Sequence, residues 1–191
     1  MLNSKIEIFD LPVPKEINRE VINYLGNKGR WSFVFDGGHG VPQLSDIIAP
    51  NTITDGGMAL VSYSHSNSHD AIPDPYLNNF GNWIYSFCKE RTKLKIQYLE
   101  RMYWNLYSPS ASCTWHIDKE VGGYLGHYGS IVYNLHTNDG GTEFEGNQKI
   151  LATEGQALVF PSHLTHRGLA PEKNKWRVSL NMVVKIQLME L

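Results

Sequence analysis

The sequence predicts a mainly β domain in which N-terminal helices and loops pack against a C-terminal β-sandwich or barrel. Two observations lead to this class. Apolar residues recur at helical spacing only in the first half of the chain, whereas from Lys95 onward they alternate with a period of two. Turn sequences such as 138–141 and 145–147 also divide the second half into seven short segments, which is typical of antiparallel sheets.

The length and composition fit one domain with its own core. The chain has 191 residues, of which 41% are hydrophobic, and its 17 glycines and 9 prolines indicate many turns. We therefore expect a single domain over 1–191. Within it, 1–94 form a helical and loop support layer, and 95–191 form the β-core that carries the functional site.

Charge and cysteine content exclude several classes of protein. The net charge of −2 provides no strong basic field for nucleic acid or a membrane surface. The two cysteines, Cys88 and Cys113, are too few for a disulfide scaffold, and we expect both to be reduced. The first ten residues lack the apolar run of a signal peptide. These features predict a cytoplasmic protein, a monomer or homodimer, with no membrane partner.

Two helices and a strand are predicted in the support layer. Residues 5–9 alternate like a short strand. Residues 15–25 carry apolar side chains at helical spacing, and Gly26 is read as the stop signal. A second helix is predicted over 76–91. Between the helices, 30–74 is rich in turn residues apart from a short apolar run, and it is either a lid, a binding loop or a poorly ordered segment.

The β-core is predicted to contain seven strands. Residues of alternating character define each strand, and Gly-, Pro-, Asn- or Asp-rich turns separate them. Trp115 and Trp176 are expected to pack in the core. The predicted strands are 97–107, 112–118, 129–137, 142–145, 148–152, 157–161 and 176–186.

The chemistry of the chain centres on His116 and Asp118. Side chains two residues apart in a strand leave on the same face, so one imidazole and one carboxylate point the same way. This pair is two-thirds of the 2-His-1-carboxylate triad that holds non-haem Fe(II). His166 is the candidate third ligand, and the nearby His163 competes with it.

A second polar group lies in the last predicted strand. Alternation there puts Arg177, Ser179 and Asn181 on one face and apolar side chains on the other. A guanidinium inside a barrel is costly without a partner. A bound carboxylate would satisfy it in the bidentate geometry that arginine favours.

Taken together, these motifs resemble the Fe(II)/2-oxoglutarate-dependent dioxygenases of the prolyl-4-hydroxylase-like branch. The resemblance rests on His116-x-Asp118, on His166 after Phe160-Pro161-Ser162, on Arg177, and on the Gly-Gly-Thr-Glu-Phe turn at 140–144. It covers about half of the chain, 97–186, and implies a double-stranded β-helix, or jelly-roll and cupin-like, core.

The resemblance also implies the roles of the site residues. His116, Asp118 and His166 would bind Fe(II). Arg177 would pair with the distal carboxylate of 2-oxoglutarate, with Ser179 assisting. The remaining co-substrate contacts implied are Tyr107, with Tyr103 as a weaker match, and Asn134. O2 is the other co-substrate, and ascorbate would be a supporting reductant.

The substrate is the least constrained part of the prediction. The family's best-known activity implies hydroxylation of a prolyl residue in a peptide or protein, with a free amino acid or other small metabolite as the alternative. Nucleic-acid demethylation is disfavoured, because that branch has a second arginine where this chain has Val183. A non-catalytic, cupin-like metal- or sugar-binding barrel would keep the fold but has no need for Arg177 and Ser179 inside it.

Overall fold

The computed structural model describes residues 6–29, 32–35, 56–64, 74–109, 113–119 and 127–187. Two helices and ten strands lie in these ranges. In chain order they are β1 (Glu7–Asp10), α1 (Lys15–Lys28), β2 (Ser32–Phe35), β3 (Gly56–Ser64), α2 (Pro75–Arg91), β4 (Ile96–Tyr107), β5 (His127–Asn134), β6 (Gly141–Phe144), β7 (Gln148–Leu151), β8 (Gln156–Pro161), β9 (His166–Leu169) and β10 (Arg177–Ile186).

The strands form two antiparallel sheets that face each other. The large sheet has the order β1-β8-β5-β10-β4-β3-β2, and the small sheet has the order β7-β6-β9. Apolar side chains fill one end of the space between the sheets, where the rings of Phe144 and Phe160 lie 4.9 Å apart beside Val132 and Leu158. This arrangement confirms the predicted double-stranded β-helix core.

Both helices cover the outer face of the large sheet. Val21 and Leu25 of α1 and Leu77 and Ile84 of α2 pack in one cluster with side chains of β4, β5 and β10. The contact between α2 and the sheet is close, because a Cβ at Gly81 would collide with the sulfur of Met102. The two helices thus pack against the β-core as predicted, whereas β1, β2 and β3 from the same part of the chain are strands of the large sheet.

The start of α2 follows from its local sequence. The Asp74 carboxylate accepts hydrogen bonds from the backbone N–H groups of Tyr76 and Leu77 at 3.0 and 3.1 Å, and Pro75 occupies the first helical turn. These are the standard capping interactions of a helix N-terminus. The same carboxylate also accepts a hydrogen bond from Tyr24 of α1 at 2.9 Å, which ties the two helices together.

Alternation along β10 separates two environments. Val178, Leu180, Met182 and Val184 belong to the cluster beneath the helices. Arg177 and the polar residues that alternate with these four therefore lie on the inner face, towards the small sheet. This division matches the prediction from the sequence.

Several predicted boundaries were wrong. Gly26 does not stop α1, which continues to Lys28 and ends where Gly29 donates to the Leu25 carbonyl. The irregular region 30–74 contains β3, which pairs with β4. Its short apolar run forms β2, as predicted. Residues 30–31, 36–55 and 65–73 lie outside the described residues, so the predicted lid or binding loop is not tested.

The small sheet also differs from the prediction. Of the strand expected over 112–118, the described part contains only a single bridge at His116. The strand β9 was not predicted.

Two tryptophans predicted to lie in the core do not. Trp115 and Trp176 are 43% and 38% exposed. Among the described residues, neither helix has the length and apolar character needed to cross a bilayer.

Candidate metal centre

A short backbone bridge brings two distant histidines together. The N–H of His116 donates to the carbonyl of His166, and the N–H of His166 donates to the carbonyl of His116, both at 2.9 Å. The imidazole rings lie 4.6 Å apart. Asp118 is held two residues further on, where its N–H donates to the Ser162 carbonyl at 3.1 Å.

The three side chains converge on one point. Nε2 of His116 lies 3.7 Å from Oδ1 of Asp118, and Nε2 of His166 lies 3.6 Å from Oδ2. All three ligand atoms lie within 4.8 Å of one another. Donor atoms bound at about 2.1 Å to one metal are about 3–4 Å apart, so the spacing suits a single ion. His163, the competing candidate, is not part of this group.

Hydrogen bonds at the far side of each ring fix the imidazole tautomer. Nδ1 of His116 lies 2.9 Å from the Thr114 carbonyl, and Nδ1 of His166 lies 2.9 Å from the Leu164 carbonyl. A carbonyl only accepts, so each Nδ1 carries a hydrogen, and in the neutral ring Nε2 is left with the lone pair that a metal needs. Metal-binding histidines are oriented in this way.

The carboxylate of Asp118 is oriented by two hydroxyl groups. Ser130 donates to Oδ2 at 2.5 Å, and Tyr103 donates to Oδ1 at 3.3 Å. Ser130 also lies 2.8 Å from the hydroxyl of Ser162. Sequence reasoning missed Ser130, although alternation along β5 puts it on the same face as Asn134.

The electrostatics of the two histidines differ. Burial lowers the pKa of His116, but hydrogen bonds with Cys113 and Thr114 and the charge of Asp118 outweigh it and raise the pKa to about 9. Burial lowers the pKa of His166, and this effect exceeds the opposing charge of Asp118. Because the pKa of His116 is raised, a metal ion that binds this ring would displace a proton from its Nε2.

At the Asn134 end of β5, the barrel interior holds a buried cation. Arg177 is 1% exposed, and burial lowers the pKa of its guanidinium, which stays charged at neutral pH. Its Nη2 donates to Oδ1 of Asn134 at a long 3.5 Å, and its Nε has no hydrogen-bond partner among the residues that the structure describes. No carboxylate of a described residue lies within 4.0 Å of it.

The ring of Tyr107 lies against the Arg177 guanidinium. Its ring centroid lies 5.2 Å from the Arg177 guanidinium carbon, and its hydroxyl accepts from Asn105 at 3.2 Å. Gly168 of β9 makes room for it, because a Cβ there would lie 2.6 Å from the tyrosine oxygen. Ser179 is buried nearby on β10 and donates to Asn181 at 2.8 Å. The predicted co-substrate residues thus lie together inside the barrel.

Comparison with known proteins identifies the fold. No family model matches the chain, and no curated protein sequence matches it. Solved structures do match. A viral collagen prolyl hydroxylase from Paramecium bursaria Chlorella virus-1, in its 2-oxoglutarate complex, has a TM-score of 0.62 at 14% identity, with 96% of this chain and 97% of that chain covered.

Two further structures show the breadth of the similarity. A prolyl hydroxylase from Trichoplax adhaerens, in complex with a hypoxia-inducible-factor peptide fragment, has a TM-score of 0.59 at 18% identity, covering 96% of this chain and 84% of that one. A non-haem α-ketoglutarate-dependent epimerase of nogalamycin biosynthesis has a TM-score of 0.65 at 8% identity, covering 96% and 79%. The chain therefore has the fold of the 2-oxoglutarate/Fe(II) oxygenases, prolyl-4-hydroxylases among them.

Proposed function

We propose that this protein is an Fe(II)- and 2-oxoglutarate-dependent oxygenase that hydroxylates an unactivated C–H bond. One observation carries the proposal. The interior that holds the converging His116, Asp118 and His166 also holds Arg177, a buried cation without a carboxylate partner among the described residues. Such an interior suits a metal ion together with an anionic ligand such as a dicarboxylate.

The donor set fits Fe(II). Two neutral imidazole nitrogens and one carboxylate oxygen on one side of an ion leave its other positions open, as in the non-haem Fe(II) oxygenases. The backbone carbonyls behind the two rings and the hydroxyls of Ser130 and Tyr103 keep the donors in place before an ion arrives. His116, Asp118 and His166 are therefore the proposed ligands.

The pocket around Arg177 is the proposed 2-oxoglutarate site. The guanidinium would pair with the distal carboxylate through Nε and an Nη group, which is the fork geometry that it favours. Tyr107, Ser179 and Asn134 surround this position and would supply the remaining contacts. The interior position of the pocket would keep bulk water from the co-substrate.

When bound together, Fe(II), 2-oxoglutarate and O2 supply the oxidation: 2-oxoglutarate loses CO2 and becomes succinate, and the substrate C–H becomes C–OH. The protein's own contribution is positional. Arg177 would fix one end of the co-substrate while the triad fixes the metal. The co-substrate and the metal would therefore meet in one defined orientation.

A prolyl residue of a peptide is the proposed substrate. Support comes from the structural neighbours that are prolyl hydroxylases, one of them in complex with a peptide. The test is a panel of prolyl peptides, free amino acids and small metabolites incubated with Fe(II), 2-oxoglutarate and ascorbate, analysed by mass spectrometry for succinate and for the gain of one oxygen atom.

Matched variants make this test specific. We expect His166→Ala to abolish substrate-dependent succinate formation, whereas His163→Ala, three residues away and outside the triad, should retain it. Equal loss in both variants would contradict the ligand assignment. Oxygen gain in a free amino acid but in none of the peptides would contradict the proposed substrate.

A further inference from the structure

A tyrosine between two lysines lies at the end of the barrel opposite Arg177. Nζ of Lys119 lies 4.3 Å from the ring centroid of Tyr128, and Nζ of Lys185 lies 4.5 Å from the same centroid. Lys185 and Tyr128 are cross-strand partners in β10 and β5, and Lys119 directly follows Asp118. We refer to Lys119, Tyr128 and Lys185 as the lysine–tyrosine cluster.

The cluster faces the same side of the large sheet as the metal centre. A Cβ at Gly129 would touch Leu94, Val184 and Ile186, so that position points towards the helix side of the sheet. Its neighbours, Tyr128 and Ser130, therefore point to the inner face. Ser130 donates to the Asp118 carboxylate, and Tyr128 is two residues away, roughly 7 Å along the strand.

The cluster carries excess positive charge. Lys119 pairs with Glu100 at 2.9 Å, and the side chain of Glu100 is 11% exposed. Lys185 has no carboxylate oxygen within 4.0 Å among the residues that the structure describes. The ammonium groups of Lys119 and Lys185 both contact the ring of Tyr128, but only that of Lys119 is paired with a described carboxylate. The charge balance of the arrangement therefore favours a second anion beside Lys185.

We propose that the lysine–tyrosine cluster binds a carboxylate of the substrate and so selects acidic substrates for the adjacent metal centre. This inference rests on the proposed function. Lys185 would pair with the carboxylate, and Lys119, held by Glu100, would add to the field. Contact with the ring of Tyr128 keeps both ammonium groups near their positions before binding. The carboxylate belongs to an acidic residue beside the target residue of a peptide, or to a small free acid.

The test compares matched probes in two arms. In the first, peptides share one central proline and differ only in glutamate, glutamine or lysine at the flanking positions. In the second, N-acetylproline is compared with its amide. Binding is measured by calorimetry with and without Mn(II) and 2-oxoglutarate, and turnover by mass spectrometry. We expect the acid form to be preferred about fivefold in at least one arm, as for a partly screened charge pair.

Variants of Lys185 separate this role from a structural one. Lys185→Gln should remove the preference by raising KM while leaving kcat and 2-oxoglutarate binding unchanged, and Lys185→Glu should favour the lysine peptide instead. Lys15→Gln, which removes an exposed charge from α1, should keep the wild-type preference. The proposal is overturned if acid and neutral probes bind the wild type equally in both arms, or if the preference survives Lys185→Gln. If the wild-type protein does not bind 2-oxoglutarate, the proposed function itself is contradicted.

Discussion

Replacing Arg177 by methionine tests whether its guanidinium serves a ligand or the fold. The side chain is 1% exposed, makes one long hydrogen bond of 3.5 Å and leaves Nε unpaired among the described residues. An unsatisfied buried donor costs about 1–3 kcal/mol. Methionine keeps much of the aliphatic volume without this cost, so Arg177→Met should stabilise the ligand-free protein by about 1 kcal/mol.

The expected shifts are measurable by thermal unfolding. For a chain of this size, about 1 kcal/mol corresponds to a Tm increase of roughly 2–4 °C. In the wild type, Mn(II) with 2-oxoglutarate at a hundred times its Kd should add about 2.7 kcal/mol, or roughly 5–11 °C. Arg177→Met should lose the 2-oxoglutarate part of this gain.

Arg19→Met is the matched control for Arg177→Met. Arg19→Met removes a positive charge from an exposed position on α1 and should leave the response to 2-oxoglutarate unchanged. If Arg177→Met instead lowers the Tm of the ligand-free protein by several degrees, the arginine is a structural ion-pair partner. The interior around Arg177 would then not be an anion-binding site.

Three other changes have defined outcomes. Ser130→Ala removes the 2.5 Å hydrogen bond to Asp118 and should weaken metal binding about 10–100-fold in a Co(II) titration, while an unchanged affinity would mean that the hydroxyl does not orient the carboxylate. Gly168→Ala should displace the Tyr107 ring, since the new Cβ would lie 2.6 Å from its oxygen, and weaken 2-oxoglutarate binding measured by calorimetry; wild-type affinity would show that the ring does not contact the co-substrate. A hydrogen bond from the Asn174 side chain and backbone N–H groups lowers the pKa of Asp139, so its stabilisation is complete above its ordinary pKa and is lost as the pH falls through the lower folded-state pKa. Asp139→Asn should therefore have a lower Tm than the wild type at pH 7, and the gap should narrow below about pH 4; a constant gap would contradict this.

The grouping of His116 with Asp118 could be predicted from the sequence because it depends only on the two-residue spacing of side chains in extended backbone. His116 and Asp118 need only one extended residue between them to point the same way, and the structure provides this with a single bridge rather than the predicted strand. Alternation in β10 likewise placed Arg177 on the inner face. Their roles as metal and co-substrate ligands remain a prediction.

The errors arose where tertiary contacts override local signals. Gly26 lies inside α1, which ends at Lys28 and is capped by Gly29. The packing of the buried Leu25 stabilises this last part of the helix despite the glycine. The β3 strand begins with two glycines that read as a turn, yet β4 pairs with it. Trp115 is 43% exposed, and the guanidinium carbon of Arg167 lies 4.6 Å from the centre of its ring.

The contacts of Ser130 and Tyr103 with Asp118 were beyond local reasoning for a different reason. Ser130 lies 12 residues from Asp118 and Tyr103 lies 15 residues from it, on two different strands. Periodicity indicates which face a residue occupies but not which residue it meets across the barrel. That information depends on sheet order and register.

The central claim is that one interior holds Fe(II) and 2-oxoglutarate together, and anaerobic absorption spectroscopy tests it most directly. Fe(II) and 2-oxoglutarate added to the wild type should produce a weak visible charge-transfer band. The band should be absent in Asp118→Ala and should require far more 2-oxoglutarate in Arg177→Met. A band of equal strength and equal 2-oxoglutarate dependence in all three proteins would contradict the claim.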